Sequence, residues 1–185
     1  MSSREIYLDY AATAPLDPAV AEAMRACLTT EFGNASSQHA AGRRARALVE
    51  AARAAVGARV GAAPERLLFT SGATESNNLA LAGVLRRERG GRAHLVTSRI
   101  EHKSVLDTAR ALESANIAVT YVPAEPGGYV DPERVAAAIT PETALVSIMH
   151  VNNETGVIQD IAAIGAHCRA RGVPPAEAAD PSARW

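Results

Sequence analysis

From Pro64 onward, short apolar runs alternate with amphipathic helical stretches, and this alternation restricts the chain to very few folds. Leu67-Leu68-Phe69-Thr70 reads as a buried strand that Ser71-Gly72 breaks. A helix follows, with Leu81, Val84 and Leu85 turned inward. Ala93-His94-Leu95-Val96-Thr97 reads as the next strand, and the helix after it carries Val105, Leu106, Ala109 and Leu112 on one face. Ile117 to Val122 gives a third strand, closed by the turn Glu125-Pro126-Gly127-Gly128. Asp131-Pro132 caps a short helix to Ile139, and Ala144 to Met149 gives a fourth strand. Ile158 to Arg171 reads as a helix that stops at Gly172. Strands separated by helices of about 10 residues or more form βαβ units, so the expected fold is α/β with a mainly parallel sheet flanked by helices. Ligands of such sheets bind beyond the carboxyl ends of the strands. The loops that follow strands are therefore the ones to read for chemistry.

Two helices precede this region. Asp17-Pro18 starts the first, with Val20, Met24, Cys27 and Leu28 on one face. The second runs from Ala41 to Val60, with Leu48, Val49, Ala52, Val56 and Val60 as its expected buried stripe. The organisation is an N-terminal arm with helices over 1–62, a partial α/β domain over 63–173 and a tail over 174–185.

Composition excludes several classes. The net charge of -1 over 185 residues argues against a nucleic-acid partner. No apolar run reaches membrane-spanning length, and the start Met1-Ser2-Ser3-Arg4-Glu5 shows no leader-like apolar stretch. The two cysteines, Cys27 and Cys168, make no disulfide framework and no zinc pattern. Both fall on helices and read as buried structural residues. The expected setting is reducing and cytoplasmic, with no membrane and no metal. Of 19 basic residues 18 are arginine, so Lys103 is the one lysine amine in the sequence.

The first post-strand loop, Phe69 to Asn78, leads into a helix N-terminus, where unpaired N–H groups and the helix dipole favour an anion such as phosphate. Gly72 allows close backbone approach, and Ser71 and Thr74 add hydroxyls. An ordinary helix cap uses the same residues. The second loop, Ser98 to Ser104, brings His102 to the same edge. It reads as a ring that stacks on a planar ligand or relays a proton, or as a plain surface or capping histidine. Glu101 and Lys103 read as surface charges. The third loop, His150 to Gly156, is dense in short polar side chains that serve either turn geometry or a ligand. Three polar loops on one sheet edge favour a small, anionic, planar ligand. Tyr7 to Pro15 and Gly33 to His39 are polar stretches to which physics alone assigns no role.

Several segments taken together resemble the cysteine desulfurases, pyridoxal-phosphate enzymes of the class V aminotransferase group. They are Tyr7-Leu8-Asp9-Tyr10-Ala11-Ala12-Thr13, Phe32-Gly33-Asn34-Ala35-Ser36-Ser37, Phe69-Thr70-Ser71-Gly72-Ala73-Thr74-Glu75-Ser76-Asn77-Asn78, Glu101-His102-Lys103 and Met149-His150-Val151-Asn152-Asn153-Glu154-Thr155-Gly156. The likeness runs in order from Ile6 to Val173. It implies part of the large domain of a fold-type I pyridoxal-phosphate enzyme, a homodimer in the family. The family takes sulfur from L-cysteine, leaving L-alanine and a persulfide on an enzyme cysteine. That persulfide passes to an acceptor or scaffold protein for iron–sulfur cluster assembly or thiolation. By resemblance Ala73 and Thr74 hold the cofactor phosphate, His102 stacks on the pyridine ring as the catalytic histidine, and Asn153 hydrogen-bonds the phenolic oxygen.

The likeness stops after Gly172-Val173. The family continues with a strand leading to His-Val-Asp-Ala, whose aspartate pairs with the pyridinium nitrogen. Next come a glutamine, a Ser-x-His-Lys motif with the Schiff-base lysine and, far downstream, a nucleophilic loop cysteine. The sequence instead reads Pro174-Pro175-Ala176-Glu177-Ala178-Ala179-Asp180-Pro181-Ser182-Ala183-Arg184-Trp185, as a frameshift or early stop would leave it. Its prolines argue against a strand there. Asp180 is out of register with the family aspartate, and Lys103 belongs to the Glu-His-Lys motif. The 185 residues alone are expected to be unstable or aggregation-prone, with an exposed strand edge, and to lack turnover. Open alternatives are a selenocysteine lyase or another class V member, a non-catalytic or split fragment completed by a second chain, and a degraded gene product.

Overall fold

The structure is a computed structural model that describes residues 6–10, 12–87, 94–173 and 175–176. Ala11 of the arm, Ala93 of the second expected strand, and Pro174 and residues 177–185 of the tail, Asp180 included, lie outside the described residues. The chain divides into two units, with the boundary between Leu67 and Leu68.

In the first unit, α1 spans Pro18–Thr29 and α2 spans Ala40–Val60, with a 3₁₀ turn over Pro64–Arg66. Asp17 caps α1 by accepting the Ala19 N–H at 2.7 Å, as its position before Pro18 predicts. Neither expected apolar stripe is buried, however. No residue of α1 is buried, and Val20, Met24 and Leu28 are exposed, Leu28 at 75%. Cys27 is exposed as well, against the reading of it as a buried structural residue. On α2, Leu48, Val49, Val56 and Val60 are exposed, and the buried positions are Gly42, Ala45 and Gly57. A stripe is buried only where another surface faces it, and at Gly42 and Gly57 the nearest atoms are backbone carbonyl oxygens. The turn from Asn34 to Ser37 lies against Gly42 so closely that a Cβ there would sit 2.2 Å from the Ser37 carbonyl oxygen. Gly61, at φ 68°, ends α2 in the left-handed conformation.

The second unit is a three-layer α/β structure. Its helices are α3 (Ala73–Arg87), α4 (Lys103–Glu113), α5 (Pro132–Ala138) and α6 (Ile161–Ala170). Its strands are β1 (His94–Ser98), β2 (Ala118–Val122), β3 (Thr143–Ser147) and β4 (Pro175–Ala176). They form one parallel sheet in the order β2-β1-β3-β4. In register, Leu95 lies beside Leu145 and Val96 beside Val146. Because side chains alternate across a strand, the leucine pair faces one side and the valine pair the other. Leu95 and Leu145 pack with Leu81 and Leu85 of α3 and Val105, Ala109 and Leu112 of α4. Val96 and Val146 pack with Val135 of α5, Ile164 and Cys168 of α6, and Val173. Cys168 is buried, as expected.

Three expectations change here. Leu67 to Thr70 is assigned to no strand, and Leu68 is 69% exposed rather than buried. The helix expected from Ile158 begins at Ile161, because Asp160 takes the cap and accepts the Ala163 N–H at 3.0 Å. In the tail, Pro175 and Ala176 do form a strand, pairing in parallel with Val146 and Ser147. An edge strand bonds through one side only, so a missing N–H is tolerated there.

His94 opens β1 and ties it to both neighbours. Its Nδ1 lies 2.8 Å from Thr143 Oγ1 and its Nε2 lies 2.9 Å from Thr120 Oγ1. Burial holds the imidazole below its ordinary value of 6.5, with Glu142 pulling weakly the other way. A histidine depressed in the folded state leaves the unfolded chain to take up the proton first. Stability is therefore expected to fall as pH drops below about 6.5. His94→Gln should flatten that slope in denaturant titrations between pH 7 and 5. In the first unit, Gly42→Ala should cost about 1–3 kcal/mol through backbone overlap, read as a lowered unfolding midpoint.

Candidate cofactor-binding edge

The chain goes from β1 outward to β2, returns to β3 on the other side of β1, and continues outward to β4. The connections diverge between β1 and β3, which makes their carboxyl ends the switch point of the sheet. Both polar loops that follow these strands start there.

Glu101 joins them. Expected as a surface charge, it is instead buried, with 7% exposure. Its Oε1 accepts the Ser98 hydroxyl at 2.7 Å and the Met149 N–H at 2.8 Å. Burial pushes its carboxyl above the ordinary value of 4.5, against the two hydrogen bonds that favour the ionised form. Asn152 makes the second tie, donating from Nδ2 to the Ile100 carbonyl at 3.0 Å. Its Oδ1 accepts the N–H groups of Glu154 and Thr155 at 3.0 and 2.9 Å, which folds the third loop into a turn. Gly156 closes that turn at φ 73°, where a side chain would be strained. Asn152 is thus the buried frame of the loop, while Asn153 is exposed with its Nδ2 donating to Glu154 Oε1 at 2.8 Å. Sequence reasoning singled out neither Glu101 nor Asn152 for these roles. The one available signal was a charged or amide residue one place before an exposed candidate.

His102 is the N-cap of α4, so the capping reading holds: its Nδ1 accepts the Ser104 N–H at 3.1 Å. Its ring is exposed, as are Ala73 and Thr74 at the start of α3. Two bridges link the helices that carry them. Asn77 Nδ2 donates to Ser104 Oγ at 2.8 Å, and Thr108 Oγ1 lies 2.8 Å from Asn78 Oδ1. Asn78 in turn donates to the Thr74 carbonyl at 2.8 Å. The first turns of α3, the turn of His102 and the turn of Asn152 are therefore joined through hydrogen bonds.

The donors at the start of α3 suit an anion. Helical geometry leaves the first N–H groups of α3 without intrahelical acceptors. Glu75 Oε2 already accepts both the N–H and the hydroxyl of Ser71, each at 2.6 Å, and these bonds lower its pKa. A Cβ at Gly72 would meet nothing within 4 Å, so the loop is open on that side. Lys103 is 85% exposed, with Nζ 4.0 Å from Asp107. Among the described residues no group of three or more His, Cys, Asp or Glu is placed to hold a metal ion. Among the same residues no helix is long and apolar enough to cross a membrane.

Removing the Glu101 carboxyl leaves the part-buried Met149 N–H and the buried Ser98 hydroxyl without this acceptor. Glu101→Ala should cost about 1–3 kcal/mol in chemical denaturation. Glu101→Gln keeps the acceptor and sheds the buried charge, and should stay within about 1 kcal/mol of the parent.

Comparison with known proteins shows the family. The family model of the class-V aminotransferases matches residues 6–174. The cysteine desulfurase IscS of Aeromonas hydrophila subsp. hydrophila is 53% identical over 171 residues, covering 91% of this chain and 42% of the relative. That of Pseudomonas syringae pv. tomato is 54% identical over 173 residues, with the same coverage of 91% and 42%. The chain thus spans less than half the length of these curated relatives. Among solved structures, SspA in complex with cysteine superposes with a TM-score of 0.87 at 39% identity, covering 91% of this chain and 49% of that one. DndA from Streptomyces lividans does so with a TM-score of 0.80 at 46% identity, covering 92% and 48%. With residues 6–174 matched by one family and the same α/β fold in its solved relatives, the chain belongs to the class-V aminotransferases.

Proposed function

We propose that residues 68–173 form the phosphate and ring-face side of a pyridoxal 5'-phosphate site in a cysteine desulfurase. The observation that carries this reading is the joining of the first turns of α3 to the polar loops at the carboxyl ends of β1 and β3, through Asn77–Ser104, Glu101–Met149 and Asn152–Ile100. The curated relatives are named as cysteine desulfurases, which supports the same reading. Ala73 and Thr74 hold the phosphate with the first N–H groups of α3 and the Thr74 hydroxyl. His102 lies against one face of the pyridine ring, and the Asn153 amide donates to the phenolic oxygen. When bound, the cofactor acts as the electron sink for an amino acid attached to it. The substrate in this reading is L-cysteine. The products are L-alanine and a persulfide destined for an acceptor or scaffold protein, and the assembly is a homodimer in a cytoplasmic setting.

The residues of this chain fit part of that task. The phosphate end and one ring face are provided for. The aspartate, the Schiff-base lysine and the nucleophilic cysteine of the family motifs do not occur among the 185 residues at matching positions. Lys103 reaches toward Asp107 on the surface of α4 and does not replace the lysine. In this reading these residues bind the cofactor, and turnover also uses the family's aspartate, lysine and cysteine.

Fluorescence titration with pyridoxal 5'-phosphate tests this reading. The chain should bind the cofactor. Thr74→Ala should weaken binding about tenfold or more, since losing a charge-assisted hydrogen bond costs about 1.5–3 kcal/mol. Borohydride should leave Lys103 unlabelled, and L-cysteine should yield no L-alanine. Absence of binding, equal affinity in Thr74→Ala, or alanine release by the chain alone would each overturn the reading.

A further inference from the structure

His102 accepts hydrogen bonds at one ring nitrogen from two donors, and that arrangement decides which nitrogen carries the proton. Nδ1 receives the Ser104 N–H at 3.1 Å and lies 2.8 Å from Ser104 Oγ. A backbone N–H can only donate, so Nδ1 is the bare nitrogen and the proton sits on Nε2. The Ser104 hydroxyl also receives a bond, from Asn77 Nδ2 at 2.8 Å. With Asn77 supplying a proton to that oxygen, the hydroxyl's own proton is free to point at Nδ1. Ser104 is buried, with 8% exposure. The chain of donation runs in one direction, from Asn77 to Ser104 to His102.

The molecule contains its own contrast. His39 is the N-cap of α2 and accepts the Gly42 N–H at Nδ1, at 3.4 Å, with no hydroxyl bond to its ring among the described residues. His102 has the shorter cap and the added hydroxyl. Its Nε2 has no acceptor among the described residues, so the proton placed there is available to a ligand.

We infer that Ser104, oriented by Asn77, is a positioning residue for His102: its hydroxyl adds a second donor at the Nδ1 that the backbone N–H leaves bare, which strengthens the Nε2–H tautomer, and it ties the ring to the helix that begins at Ala73. The inference rests on the proposed cofactor site for its functional meaning, but the tautomer itself does not depend on any ligand.

Long-range ¹H–¹⁵N spectra of the labelled 185-residue chain test this, with the His102 signals identified by their loss in His102→Gln. The parent chain should show a wide separation between a bare Nδ1 and a protonated Nε2. Ser104→Ala should narrow that separation toward the values of His39, and Ser104→Thr should restore it. Asn77→Asp, which cannot donate and competes for the hydroxyl proton, should narrow it without changing side-chain size. A proton on Nδ1 in the parent chain would overturn the inference with no variant needed. So would an unchanged separation in Asn77→Asp and Ser104→Ala. Cofactor titration of the same samples keeps the two readings apart. A chain with the stated tautomer that fails to bind pyridoxal 5'-phosphate refutes the cofactor site and leaves the positioning of His102 standing.

Discussion

Every residue of β1 is buried, and that burial depends on β2 and β3 pairing with its two edges while helices cover its two faces. A parallel sheet buried on both faces must be apolar on both, and Leu95 and Val96 supply one side chain to each. The helices then have no freedom of placement. α3 and α4 cover the Leu95 face, and α5 and α6 cover the Val96 face. His94, at the start of β1, bonds Thr120 and Thr143 through its two ring nitrogens and so joins β1 to both flanking strands at that end.

The opposite end of β1 is where the chain separates, and a buried carboxylate spans the gap. Glu101 replaces the missing ladder contacts beyond Ser98 and Ser147 by accepting from the Ser98 hydroxyl and the Met149 N–H. A buried carboxyl is costly unless its oxygens accept hydrogen bonds, and Glu101 accepts two, from the buried Ser98 hydroxyl and the part-buried Met149 N–H. The same contact sets the separation of the two polar loops. The exposed candidates His102 and Asn153 each follow directly after one of the buried framing residues, Glu101 and Asn152. Rigid framing with exposed reactive tips is what a ligand site at a sheet edge needs.

The apolar groups that find no cover have a common character. Leu68, Leu28 and the Val20–Met24 face of α1 are exposed although their spacing is that of buried elements. The relatives are more than twice as long as the matched region, and an element patterned for burial needs an opposing surface to be buried. Exposed apolar surface of this kind favours association.

The alternation after Pro64 determined the βαβ order, the Asp131 cap of α5, and which loops follow strands. Those features come from local rules: period, cap chemistry and the position of loops after strands. Burial did not follow from pattern alone. Leu48, Val56 and Leu68 carry the right spacing and stay exposed, whereas Glu101 carries a charge and is buried. Pro175 pairs at an edge where proline was expected to exclude a strand. Contacts between residues distant in sequence, such as Glu101 with Met149 and Asn77 with Ser104, have no local signal. The sequence by itself therefore determined the family, the order of elements and the candidates His102, Thr74 and Asn153. Which residues hold those candidates in place was decided only by the tertiary structure, because a hydrogen bond between two loops exists only once the sheet has brought them together.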